Sequence, residues 1–185
     1  MNNQKNENIE VEVRGLLTNE AYTRILSLLR KISDQEEEDN KTSYFFVIEN
    51  GILKISDEET KNRAKISYKL GDESKNILHE YEIHISRSDV EKTIGVFKNL
   101  GFINVNEVPQ KRINFKYKGA EISIKDTPDF GPHFEIEMMA VNQEDADIKR
   151  KILIKLCDEL GLKILFEQEI RDLIISVNTK HGFIK

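Results

Sequence analysis

Strict alternation in one short stretch, Ile9 to Gly15 (IEVEVRG), limits this chain more than any other feature. Ile9, Val11 and Val13 fall on one parity, Glu10, Glu12 and Arg14 on the other. A strand turns successive side chains to opposite faces, so one face is aliphatic and the other carries two acids and a base. On a single strand such charges usually face water. Repeated on many strands, the pattern leaves a choice between a solvated outer face and a shared polar interior. It is repeated. Arg63 to Leu70 sets Arg63, Lys65, Ser67 and Lys69 against Ala64, Ile66, Tyr68 and Leu70. His79 to Ser86 sets Glu80, Glu82 and His84 against Tyr81, Ile83 and Ile85. His133 to Met139 sets Glu135 and Glu137 against Phe134, Ile136 and Met138.

Between these segments the chain reads as short strands and three amphipathic helices. Thr18 caps a helix whose apolar stripe is Tyr22, Ile25, Leu28, Leu29 and Ile32. Asp34 to Lys41 is a polar, acidic run, read as a solvated loop. Ser43–Glu49 and Ile52–Ser56 flank Asn50-Gly51, a strong hairpin signal, and Lys54 lies between Leu53 and Ile55. Ser88 and Glu91 form a capping box before Val90, Ile94, Phe97 and Leu100, and Gly101 ends that helix. Strands follow over about Val105–Tyr117 and Ala120–Asp126, turning at Lys118-Gly119, with Pro109 marking an edge or a bulge. Asn142 caps a third helix with Ile148, Ile152, Leu153, Leu156 and Leu160 on its buried face, ended by Gly161. Ile170 to Ile175 fits a short helix or a strand.

A chain of 185 residues suits a single domain over 1–185, with 1–7 a frayed tail and 177–185 a C-terminal extension. The net charge of −5 gives no global basic footprint, so no nucleic-acid partner is expected. No apolar run is long enough to span a bilayer and the first ten residues are polar, so a cytoplasmic protein is expected, with no membrane partner. Cys157 stands alone, which excludes an internal disulfide and a cysteine zinc site; its helical spacing reads as core. The four histidines show no ligand spacing, so any metal is held by oxygen, as Mg²⁺ or Mn²⁺. The edge near Pro109 and the apolar C-terminal stretch allow a homodimer.

About eight strands in a β-α-β-β-β-β-α-β-β-β-α order, mostly joined by short turns, make a largely antiparallel α+β protein. One solution is an open sheet with its charged face in water. The other is a closed barrel, which removes the edges and encloses that face. Charge is sorted by strand: Glu10/Glu12, Glu80/Glu82 and Glu135/Glu137 form three Glu-x-Glu pairs, while Lys54, Lys65/Lys69 and Arg112 are basic on others. Clustered carboxylates repel unless a cation sits among them, and clustered cations want a polyanion. A divalent metal with a phosphate chain meets both demands.

These residues resemble the CYTH proteins, or triphosphate tunnel metalloenzymes, which include class IV adenylate cyclases and thiamine and inorganic triphosphatases. IEVEVRG is similar to the family's Glu-x-Glu-x-Lys signature, ISYK to its Leu-Thr-x-Lys strand, HEYEI to its central Glu-x-Glu strand and QKRINF to its basic segment. IKDTPDFGPHFEIE resembles its Leu-Asp…Leu-Gly-x-Phe-x-Glu-x-Glu strand pair. The resemblance implies an eight-stranded antiparallel tunnel with a charged interior and helices packed outside. It implies that Glu10, Glu12, Asp126, Glu135 and Glu137 hold one or two Mg²⁺ or Mn²⁺ ions. Arg14, Lys54, Lys65, Lys69, Lys111 and Arg112 would grip ATP or another triphosphate, and Glu10, Glu12, Glu80, Glu82 and Arg112 would carry the chemistry. The implied activity is class IV adenylate cyclase-like, with a triphosphatase or a non-catalytic polyphosphate-binding module as alternatives. Arg14 replaces the signature Lys, Ser56 and Gln110 stand where cations are common, His133 replaces a Phe, and the strand–loop from Asp126 to Gly131 is about one residue short.

Overall fold

The structure, a computed structural model, describes residues 9–48, 51–70 and 77–182. The expected tail, Asn50 of the hairpin turn and the Gly71–Asn76 loop lie outside them. The described residues form nine strands: β1 (Ile9–Leu16), β2 (Gln35–Glu38), β3 (Lys41–Phe46), β4 (Ile52–Glu58), β5 (Arg63–Leu70), β6 (Ile77–Ile85), β7 (Val105–Tyr117), β8 (Ala120–Thr127) and β9 (Gly131–Ala140). The helices are α1 (Asn19–Ile32), α2 (Val90–Asn99), α3 (Gln143–Leu160) and α4 (Glu167–Lys180). The undecided C-terminal stretch is therefore a helix, and it runs without a break through residue 177.

The sheet runs β2-β7-β3-β4-β5-β6-β1-β9-β8, and β8 pairs back onto β7, closing an eight-stranded antiparallel barrel with the helices outside. The long β7 takes two partners along one edge: β3 on Val105–Gln110 and β2 on Ile113–Lys116. This corrects the loop reading of Asp34–Lys41. The edge of β7 beyond β3 exposes backbone donors and acceptors that need partners, and the polar run supplies them. Every β2 side chain stays exposed, which is why its sequence looks like a loop. Pro109 lies where β7 has β3 on one side and β8 pairing has not yet begun, a place that tolerates a missing N–H. At the β7–β8 turn, Lys118 (φ 51°) and Gly119 (φ 77°) both take the left-handed conformation that a type I′ hairpin requires.

The outer, aliphatic faces of β1, β8 and β9 pack under α1 and α3. Ile25 and Leu29 of α1 and Leu153, Leu156, Cys157 and Leu160 of α3 meet Val11, Ile122, Phe134 and Ile136 in one core. Each such side chain contributes about 1.5–3 kcal/mol by leaving water. The N-terminal half of the α3 face differs from the expected one: Ile148 and Ile152 are exposed and Ala146 is buried, while Leu153, Leu156, Leu160 and Cys157 are buried as expected. A second cluster sets Val90 and Ile94 of α2 on Phe46, Ile55 and Ala64, while Leu100, expected in that stripe, is exposed past the helix end. Ser86, not Ser88, caps this region, accepting from the Ser88 N–H to open a 3₁₀ turn before α2. Gly15 permits the close approach of the α3–α4 connection. A Cβ there would lie 2.2 Å from the Lys163 carbonyl, next to the bond from the Leu165 N–H to the Arg14 carbonyl.

Candidate functional site

With the aliphatic faces outward, the barrel's charged faces share one interior of about 500 Å³. Ten of the thirteen site residues expected from the sequence line it: Glu10, Glu12, Arg14, Lys54, Lys65, Lys69, Glu80, Arg112, Glu135 and Glu137. The closed sheet accounts for this, because side chains of one parity on every strand must point to the axis.

The acids converge. β1 and β9 pair with Glu12 opposite Glu137, and Glu10 sits two residues away on the same face. One carboxylate oxygen each from Glu10, Glu12 and Glu137 lies within 4.8 Å of the others. Burial, and then the charge of Glu10, raises the Glu137 carboxyl above its usual range. Glu80 is raised too, by burial first and with Glu10 adding to it against the pull of Lys69. Burial pushes Glu10 the same way, but its ion pair with Lys69 and the nearby Lys54 outweigh it, so its pKa falls. Glu12 is ion-paired with Arg14. Three enclosed carboxylates gathered at one point, offering oxygen donors only, fit a hard divalent cation.

The bases lie beside them. Lys41, Lys69 and Lys125 are each less than 9% exposed, and Lys54 is half-buried on the cavity lining. Burial, with Lys69 next to it, pushes Lys54 down to about 8. Burial does the same to Lys125, also to about 8, with Arg112 adding to it against the pull of Glu135. Lys41 is also held well below the ordinary lysine range, by burial and then by Arg112, Lys54 and Lys125. Lysines that burial and mutual repulsion push toward neutrality regain their charge when an anion arrives. Lys125 is ion-paired with Glu135, whose carboxyl stays well below the ordinary range: burial opposes this, but Lys125, Arg14 and His133 prevail.

The two ends of the cavity differ. Toward the β4–β5 turn, Glu58 pairs with Arg63, Lys61 reaches Glu37 (3.0 Å) and Asp39 (3.5 Å), and Arg112 reaches Asp39 (3.6 Å) and Glu121 (3.3 Å). At the opposite end the lining turns apolar, with Phe45, Ile48, Ile52 and Phe130 joined by Ile174 and Val177 of α4. Asp129 fixes α4 there, accepting from Lys180 (2.9 Å) and bonding His181 (3.0 Å).

Three expected residues are not in the cavity lining. Lys111 and Asp126 are register partners on β7 and β8, both exposed on the outer face. Asp126 instead lies near Tyr22 of α1, whose phenol it and burial push up. Lys125, the preceding residue, takes the inward place. Glu82 stands outside the lining, bonded to Lys65 (2.6 Å) with His84 3.2 Å away. The residues the sequence reading missed are chiefly Asp39, Lys41 and Lys125. Parity was the available signal, since Ser123, Lys125 and Thr127 alternate with Ile122 and Ile124. Ser56 and Gln110, where cations were expected, both lie within 3.5 Å of the Ser43 hydroxyl, and Lys41 pairs in register with Gln110, bringing a cation from the next strand. Cys157 is buried in the core, its thiol pushed up to about 12 by burial, which makes it inert.

The CYTH domain family model matches residues 8–164. A conserved protein from Pyrococcus furiosus is 25% identical, with a TM-score of 0.67 over 86% of this chain and 98% of that one. A Hippeastrum protein, assigned as an adenylyl cyclase and found to have a dominant triphosphatase activity, is 14% identical, with a TM-score of 0.60 over 86% and 90%. A Vibrio parahaemolyticus protein assigned as an adenylate cyclase is 15% identical, with a TM-score of 0.63 over 85% and 91%. No curated protein matches the chain.

Proposed function

Because the chain belongs to the CYTH domain family, we propose that its barrel holds the phosphate chain of a triphosphate together with Mg²⁺ or Mn²⁺ and cleaves that chain. The observation that carries this is the meeting, in one enclosed space, of the Glu10–Glu12–Glu137 cluster with lysines whose charge burial has weakened. Glu10, Glu12 and Glu137 would hold the cation, which when bound neutralises charge developing on phosphate oxygens. Arg14, Lys54, Lys69, Lys125 and Arg112 would place the phosphates along the barrel axis. Glu80, its carboxyl raised by burial, is the candidate base for the attacking hydroxyl.

The sequence layout resembles stand-alone class IV cyclases, so attack by a ribose 3′-hydroxyl on the α-phosphate, giving cAMP and pyrophosphate, is the first reading. Attack by water is the second. The same metal and phosphate groups serve it, and the Hippeastrum neighbour joins a cyclase assignment to a dominant triphosphatase activity. The neutral Ser56 and Gln110 would suit a non-catalytic module, but Lys41, in register with Gln110, brings a cation from the next strand. Incubating the protein with ATP or inorganic triphosphate and each cation separates the readings. cAMP with pyrophosphate supports the first reading and inorganic phosphate the second. Binding without turnover under any cation would leave the module.

A further inference from the structure

Helices cover much of the barrel's outer face but not that of β6. α1 and α3 lie over β1, β8 and β9, and α2 lies over β3–β5. Tyr81 (61% exposed) and Ile83 (63%) are the most exposed large apolar side chains on the described strands. On the same face Leu70 of β5 is exposed and Tyr68 stacks on Tyr81, with ring centres 6.2 Å apart. The edge of β6 is open as well. β1 pairs with it only over Ile77–His79, so from Glu80 to Ile85 it has β5 on one side and no described strand on the other. An open edge with exposed apolar side chains is a template for a further strand. The chain's own tail does not suit the place. Continuing the β1 register past Ile9 would set Glu7 and Lys5 against Tyr81 and Ile83, leaving both without an apolar cover. A second copy of β6 does suit it. Paired antiparallel about Ile83, the two strands set Ile83 against Ile83, Tyr81 against Ile85 and Glu82 against His84. With β5 behind each, the outer rows read Ile66, Ile83, Ile83, Ile66 and Tyr68, Tyr81, Ile85, Ala64, apolar throughout. On the other face the acid of each copy meets the imidazole of the other, whereas pairing about Glu82 would oppose like charges.

We propose that β6 is a homodimer contact: two copies join edge to edge across a two-fold axis at Ile83, making one sheet continuous through both barrels. This moves the contact expected near Pro109 and the C-terminal stretch to another edge of the sheet. None of Tyr81, Glu82, Ile83 and His84 lines the cavity, so the inference stands apart from the triphosphate reading.

Sedimentation velocity on the full chain tests it. Wild type should move with rising concentration from 21.5 kDa toward twice that mass. Ile83→Lys sets like charge on like at the axis and should stay monomeric, with thermal melting to show that it folds. Ile83→Cys should cross-link to a covalent dimer under oxidised glutathione, and buried Cys157 offers no competing thiol. Tyr81→Cys should not cross-link, because the second copy sets Ile85 against it. Wild type that is monomeric at every concentration, or a dimer that Ile83→Lys leaves intact, would overturn the proposal. Cross-linking through Tyr81→Cys instead of Ile83→Cys would overturn it too. So would a monomer that dimerises only once residues 1–7 are deleted, since the tail would then be what covers the edge.

Discussion

At the β4–β5 end of the barrel nearly every charge already has an opposite. Glu58 has Arg63, Lys61 has Glu37 and Asp39, and Arg112 has Asp39 and Glu121. In the centre, an arm's length away, Glu80 and Glu137 are pushed toward protonation while Lys54 and Lys125 are pushed down to about 8. Both regions are built from the same residue types. What separates them is arrangement: the end is filled by ion pairs, whereas in the centre, beside the Glu10–Lys69, Glu12–Arg14 and Lys125–Glu135 pairs, carboxylates also crowd carboxylates and lysines crowd lysines. A fold that needed only a polar filling would pair its charges everywhere, so concentrated mismatch marks the place reserved for ligands.

Removing acids from the mismatched centre should have the largest effect. Glu10→Gln combined with Glu12→Gln should lower metal-dependent turnover about 10³-fold, roughly 4 kcal/mol of lost transition-state stabilisation. The stabilisation of the protein by Mn²⁺ in thermal melts should vanish as well. A double variant that still melts higher with Mn²⁺ would mean that the cation sits elsewhere.

Lys125 and Glu135 are the centre's one directly bonded cross-strand pair among the described residues of β8 and β9, and they behave like the paired end. Lys125→Met strands a buried carboxylate and should cost about 3 kcal/mol of stability by denaturant unfolding. Adding Glu135→Gln should recover most of that loss, since the stranded charge is gone. If the double variant is less stable than the single one, the pair is not an isolated unit.

The same pair shows what sequence could and could not reveal. Period-two alternation exposed the inward faces of β1, β5, β6 and β9, because each carries charge on one parity and aliphatic residues on the other. Closure did not follow from alternation alone, since an open sheet with its charged face in water satisfies the same pattern; the family resemblance implied the barrel. In β8, Ile122 and Ile124 carry the same signal and point to Lys125. The family pattern pointed instead to Asp126, which the register of β8 turns to the outer face. Asp39 and Lys41 were hidden for a different reason. β2 buries none of its side chains, so its QEEE leaves no periodic trace, and the strand exists only because β7 is longer than β3. For α4 the obstacle was packing: one buried residue, Ile170, and a face turned to a cavity leave too faint a helical stripe.

Changing pH should sharpen the contrast by a smaller amount. Lys54 and Lys125 titrate near 8 in the folded protein and near about 10.4 when unfolded. Between those values the unfolded chain binds more protons, so these two groups make the folded state more stable as pH rises. Anion binding moves the other way, because both lysines lose their charge above pH 8. Without metal, inorganic triphosphate should bind severalfold more weakly at pH 9 than at pH 7 by calorimetry, and Lys54→Met should flatten the trend. Affinity that is level across this range would assign the phosphate grip to the arginines.

The smallest effect should come from the contact that holds α4 over the apolar end. Asp129 lies low in its range because the bonds from Lys180 and His181 outweigh its partial burial. Its contribution to stability is present at neutral pH and lost as the carboxylate protonates under acid conditions. Lys180 is largely exposed, so replacing both partners with alanine should cost less than about 1 kcal/mol of global stability. Yet α4 buries only Ile170 fully, so a loss that the whole barrel scarcely notices is large against the local free energy of keeping the helix docked. Hydrogen exchange should therefore accelerate in α4 amides while β1, β8 and β9 keep their protection. Uniform acceleration across the barrel would mean that the helix is part of the cooperative core, and the two ends would then differ in chemistry but not in how firmly they are closed.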